Sequence, residues 1–93
     1  MNTHDLYNAA FDRWGGDAVI AKAIEECGEL ISVLAKHSLN EDVYGFDTAK
    51  IVDEIADVTI MMQQMRVVLG CAYVDARIRE KLERLQTLVD NDE

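Results

Sequence analysis

Residues 22–29 read Lys22-Ala23-Ile24-Glu25-Glu26-Cys27-Gly28-Glu29, and the pattern returns at 50–57 as Lys50-Ile51-Val52-Asp53-Glu54-Ile55-Ala56-Asp57. Both stretches fit lysine, two residues, an acid, glutamate, two residues, an acid, with apolar or small residues between the charges. On a helix, positions three and four apart share a face. Each copy therefore projects several carboxylates in one direction from an otherwise apolar segment. Carboxylates crowded together repel one another, and burying them unpaired is costly. A divalent cation offsets both effects. Mg2+ takes oxygen ligands and keeps waters and substrate phosphates in its shell, which points to phosphate chemistry.

Around these motifs the chain reads as four helices. The first covers residues 4–13 and stops at Trp14-Gly15-Gly16. The second, capped by Asp17, runs to 36, with Val19, Ile20, Ala23, Ile24, Cys27, Leu30, Ile31 and Leu34 at three- and four-residue spacing. A polar connector follows over 37–46. Asp47 caps the third helix, which ends at Leu69 before Gly70. From Val58 to Leu69 this helix is apolar on most faces, which calls for cover from a partner subunit. The fourth helix, about 72–89, carries Val74, Ile78, Leu82, Leu85 and Val89 near a heptad seam, suited to packing within or between subunits. The last four residues, Asp90 to Glu93, form an acidic tail expected to be frayed and solvated.

Composition sets the limits. The chain has 93 residues, no proline and a formal net charge of −9. That length makes one all-α domain, 1–93, with a core small enough to favour oligomerisation. The negative charge argues against a nucleic-acid partner. No apolar run reaches the roughly 20 residues of a membrane span, and residues 1–5 lack the features of a signal peptide. Cys27 and Cys71 form no disulfide framework and read as reduced thiols of a cytoplasmic protein.

Helices two and three are expected to form an antiparallel hairpin. Seven residues separate Glu29 from Lys36, and seven separate Asp47 from Glu54, so both arms rise by about 10 Å. Glu29 should then face Glu54, and Glu26 should face Asp57. A single Glu-x-x-Glu is commonly a solvated face. Two copies at matched height, interleaved with Ile24, Cys27, Leu30, Ile55, Ala56 and Val58, favour a metal site.

The chain resembles the MazG-like, all-α nucleoside triphosphate pyrophosphohydrolases over residues 11–85. Their Glu-Glu-x-x-Glu appears as Glu25-Glu26-Cys27-Gly28-Glu29, and their Glu-x-x-Asp as Glu54-Ile55-Ala56-Asp57 after 24 intervening residues. The flanks Trp14-Gly15, Glu29-Leu30 and Ala56-Asp57-Val58 also match. The resemblance implies a four-helix bundle assembled as a homodimer or homotetramer. It implies hydrolysis of (deoxy)nucleoside triphosphates to monophosphate and pyrophosphate, in a nucleotide-pool-cleaning role. It implies Mg2+, with Mn2+ as a substitute, held by Glu26, Glu29, Glu54 and Asp57, and Glu25 as a further ligand or the water-positioning base. One departure is Val19, where many relatives carry a glutamine; that leaves base recognition open. Phosphoribosyl-ATP hydrolysis and a non-enzymatic acidic helical module are the alternatives.

Further substrate contacts are expected from Lys50, from the basic stripe Arg77, Lys81 and Arg84, and from Trp14 stacking on a base. Each has a plainer reading. Lys22 and Lys50 suit local pairs with the glutamates four residues on. The stripe suits a solvated face balanced by Glu80 and Glu83, and Trp14 suits a packing anchor. His4 and His37 lack metal-ligand spacing, and Cys27 points away from Glu26 and Glu29 as a core residue. No Ser/His/Asp or Cys/His set suggests a covalent nucleophile, and no glycine-rich phosphate loop is present.

Overall fold

The computed structural model describes residues 1–39 and 48–92, and these residues form four α-helices and no strand. They are α1 (Thr3–Trp14), α2 (Gly16–Leu39), α3 (Thr48–Leu69) and α4 (Cys71–Asn91). The expected Asp47 cap and the body of the 37–46 connector lie outside the described residues.

Local chemistry explains the helix ends. Asn2 caps α1, its Oδ1 accepting the Asp5 N–H at 2.8 Å. The α1–α2 corner is made by Gly15 at φ 82°, a backbone region that favours glycine. Its N–H donates to the Phe11 carbonyl at 2.8 Å, while its own carbonyl accepts from Val19 N–H at 3.2 Å. Gly15 therefore holds the capping position expected of Asp17. Asp17 instead sits in the first turn of α2, where its charge favours the positive helix end. The α3–α4 corner repeats the device at Gly70, φ 109°. A Cβ there would stand 3.0 Å from the Tyr73 ring.

The hairpin of α2 and α3 is the main packing unit. Val19 and Ala23 of α2 meet Met61 of α3, with Phe11 and Met65 against them. Farther along, Glu26 and Glu29 meet Glu54 and Asp57, so the two helices run antiparallel as expected. The buried face of α2 is Val19, Ala23, Glu26 and Val33. Ile24 and Ile31, expected in the core, are 68% and 66% exposed, and Ile20 and Leu34 are exposed as well. The helix is turned so that Glu26, not the isoleucines, enters the α2–α3 seam. The apolar half of α3 is likewise only partly covered: Met61 is buried, while Ile60, Met62 and Leu69 are exposed.

α1 packs mainly on α3, and among the described helices α4 touches α3 alone. Of the α4 seam, Val74 is half-buried, while Ile78, Leu82, Leu85 and Val89 are all exposed and so are left largely uncovered by the described residues. No described helix is long and apolar enough to cross a membrane. What fixes α4 is a two-pronged ion pair across the Gly70 corner. Arg66 Nε donates to Asp75 Oδ1 and Nη2 to Oδ2, each at 2.6 Å. The fork geometry is the strong form of such a pair. It holds the Asp75 carboxyl below its ordinary value of 3.8, chiefly through the hydrogen bond from Arg66.

Asp75→Asn should lower stability only slightly, since the Asp75 side chain is 41% exposed and solvent screens the pair. An acid whose folded pKa is depressed contributes stability above its ordinary value, and loses it as pH falls through the lowered one. The gap in melting temperature between wild type and Asp75→Asn should therefore be full at pH 7 and close below pH 3.8. A gap that persists in strong acid would show that the charge pair is not its source.

Candidate metal centre

Glu26 and Glu29 project from one face of α2, and Glu54 and Asp57 from the facing side of α3, each pair one helical turn apart. One carboxylate oxygen from each can be chosen so that all four lie within 4.8 Å of one another. Glu26 is 93% buried, its exposure being 7%. Glu54 and Asp57 are half-buried, and Glu29 is exposed at the mouth.

The group carries more negative charge than its surroundings neutralise. Lys22 Nζ lies 3.1 Å from Glu26 Oε1 and 3.6 Å from Glu25 Oε2. Its ammonium is held more firmly protonated, first by the hydrogen bond to Glu26. That leaves Glu26 Oε2 and Glu54 Oε2 buried and without a hydrogen-bond partner. A buried carboxylate oxygen in that state is costly. The strain is visible at its neighbours. The Glu29 carboxyl is pushed above its ordinary range, first by the charge of Glu26, then by burial and by Glu54. Asp57 is pushed up first by burial, then by Glu26 and Asp53, with Lys22 opposing.

The donor set is four carboxylates with no histidine or cysteine among them. Such a set suits a hard divalent cation such as Mg2+, Mn2+ or Ca2+, not Zn2+. A cation would supply the missing partner for both orphaned oxygens, so these residues fit the group that the sequence motif implies.

The other expected site residues are placed less uniformly. Glu25 lies outside the four-acid cluster; its side chain is 57% exposed and sits by Lys22. Lys22 makes the local pair expected of it. Lys50 is exposed one turn before Glu54. Arg77, Lys81 and Arg84 are exposed on α4, which does not touch α2, and Arg77 pairs with Glu80. Within one chain, then, nothing described brings the basic stripe to the acids. Trp14 ends α1 and is 66% exposed, before the start of α2 at Gly16, which lies about 15 Å along that helix from Glu26 at the helical rise. Neither its packing role nor a place beside the acids follows from that position. Val19 is buried in the core with Ala23 and Met61, so its side chain does not line the acidic site. Cys27 is half-buried and lines a separate apolar groove. Asp53, which raises Asp57, is a site neighbour the sequence reading passed over. Its signal was the repeat itself, in which Asp53 stands where Glu25 stands in the first copy.

Comparison with protein families, curated proteins and solved structures finds no match for the chain.

An acid whose folded pKa is raised binds its proton more tightly when folded. Stability is thus lost as pH rises through that raised value. In EDTA at neutral pH, Glu29→Gln should raise the melting temperature by a few degrees, because the charge of Glu26 loses its nearest opponent. Mg2+ should raise the melting temperature of the wild type, by mass action on the folded state, and leave Glu29→Gln nearly unmoved. Differential scanning fluorimetry with and without Mg2+ measures both; equal shifts in the two proteins would remove Glu29 from the ligand set.

Proposed function

We propose that the protein is a Mg2+-dependent nucleoside triphosphate pyrophosphohydrolase of the MazG-like type, working as a homodimer or homotetramer. The observation that carries this reading is the convergence of Glu26, Glu29, Glu54 and Asp57 with two buried oxygens lacking partners. The acids come from the motif pair that resembles that family, and an antiparallel hairpin holds them at one height.

Charge supports a phosphate substrate only through a cation. A triphosphate brought to a chain of net charge −9 is repelled. When bound, Mg2+ supplies neutralisation of the phosphate charge and acidifies the attacking water. Glu26, Glu29, Glu54 and Asp57 would hold the ion. Glu25, beside the cluster and accessible, accepts the water's proton, and Lys22 lies 3.6 Å from its Oε2. Lys50 stands near enough in sequence to Glu54 to meet the phosphate tail. Water adds at the α-phosphorus, the α–β bridging bond breaks, and pyrophosphate leaves with the monophosphate remaining. Arg77, Lys81 and Arg84 serve the substrate only if α4 reaches the site from another subunit. The buried position of Val19 leaves base selection to residues other than that one.

Purified protein incubated with a panel of nucleoside triphosphates should yield monophosphate and pyrophosphate with Mg2+ and neither with EDTA. Glu29→Gln and Asp57→Asn should each lower kcat by about two orders of magnitude or more, on the scale seen when a positioned electrostatic group is removed. Circular dichroism should report an intact helical fold in both. Normal turnover by either variant would falsify the assignment; no turnover by the wild type with any nucleotide would favour phosphoribosyl-ATP or a binding role.

A further inference from the structure

The exposed side of α2 carries a second pattern. Ala21, Ile24, Gly28, Ile31 and Ala35 recur at alternating spacings of three and four, the spacing of a helix-pairing seam. All five are exposed. Ile24 and Ile31 are among the most exposed isoleucines, at 68% and 66%. The seam borders an apolar groove of about 470 Å3, lined by Ile20, Ile24, Cys27, Gly28, Ile31 and Met62 among others. None of the five is charged and no charged residue lines the groove, and Glu25 flanks the seam about 40° from Ala21 around the helix. Glu26 is turned about 160° from Ile24 around the helix axis, so the acidic site faces elsewhere.

Gly28 is the second observation. Glycine in the middle of a 24-residue helix weakens it relative to alanine. No described residue requires glycine here, since an added Cβ would meet none of their atoms within 4 Å. A glycine that its own chain leaves in open space is suited to close approach by another backbone.

The chain's surface also exceeds what its mass requires. It exposes 7253 Å2, where a compact monomer of 10.5 kDa exposes about 5,400 Å2. Its radius of gyration is 16.7 Å, against about 12 Å for a compact chain of this length. The excess area matches one subunit's share of an obligate interface, roughly 1,000 Å2 or more.

We propose that α2 pairs with α2 of a second copy of this chain, antiparallel, along Ala21, Ile24, Gly28, Ile31 and Ala35. Neutrality suits this face, because two chains of net charge −9 meet most easily where neither presents charge. Side-chain size selects the direction. In a parallel pair each residue meets its own copy, so isoleucine opposes isoleucine and glycine opposes glycine at one helix separation. In an antiparallel pair each isoleucine opposes a small residue, and every layer has similar width. The helix dipoles also oppose one another in that arrangement. This pairing gives a face and a direction to the oligomer of the preceding subsection and rests on that part of the reading, not on the reaction.

Light scattering on the purified full chain tests it, using wild type, Ile24→Glu/Ile31→Glu and Gly28→Leu. Both variants change residues exposed within the chain, and Gly28→Leu improves helix propensity. The wild type should show at least twice the 10.5 kDa of one chain. Both variants should lose half of that mass or more while circular dichroism stays helical. A monomeric wild type overturns the oligomer and the pairing together. A wild-type oligomer whose mass survives both changes overturns the pairing alone. For direction, Ala21→Cys in a Cys27→Ser/Cys71→Ser background should form no disulfide-linked dimer on oxidation, because the two copies of position 21 lie far apart along the pair. Rapid cross-linking would indicate a parallel pair and overturn the arrangement. None of these readouts depends on turnover, so failure of the pyrophosphohydrolase reading leaves them standing.

Discussion

Four carboxylates between α2 and α3 repel one another, and the packing of that helix pair contains the repulsion. The antiparallel register that buries Ala23 against Met61 also brings Glu26 and Glu29 to Glu54 and Asp57. The two cannot be separated by sliding one helix, because a shift that parts the acids also parts the apolar pair. The core on the other side of this balance is small: Val19, Ala23 and Met61, with Phe11 and Met65 against them. Lys22 offsets part of the charge, and the raised carboxyls of Glu29 and Asp57 record what remains. The acidic cluster is thus a local cost to the stability of the hairpin.

The acidic register was legible in the sequence because it depends on helical periodicity and on a reversal of the chain between the two motifs. Both are properties of residue order, and neither requires knowing which face is buried. The expected equal arms are not equal: α2 runs ten residues from Glu29 to Leu39, and α3 six from Thr48 to Glu54. The buried face of α2 was less legible. Ile20, Ile24 and Ile31 form as good an apolar stripe as Val19, Ala23 and Val33, and the two stripes overlap. Periodicity alone does not separate a face that packs within the chain from one left open. Placing Glu26 in the seam reverses the usual preference, which is why composition pointed to the isoleucines. The Arg66–Asp75 pair was invisible for a different reason. Its nine-residue spacing crosses the Gly70 corner, and the meeting of the two side chains depends on the angle between helices.

The substrate side shows the same division. Glu25 and Asp53 are equivalent in the repeat, yet Glu25 pairs with Lys22 while Asp53 presses on Asp57. The difference comes from where each helix faces its neighbour. The stripe Arg77, Lys81 and Arg84 is regular in sequence, but regularity on α4 says nothing about reach, and α4 leans on α3 alone.

That isolation of α4 has a consequence for how the molecule holds together over time. The helix has no buried residue, and its fixed points are a glycine corner and one guanidinium. In a lone chain its outer turns can melt and re-form without disturbing the acids, as a separate cooperative unit with its own small free energy. Its amide hydrogens should therefore exchange with solvent much faster than those around Ala23 and Met61. If α4 gains cover from another subunit, its order becomes a matter of mass action. Dilution would then loosen the C-terminal helix before it reaches the α2–α3 hairpin.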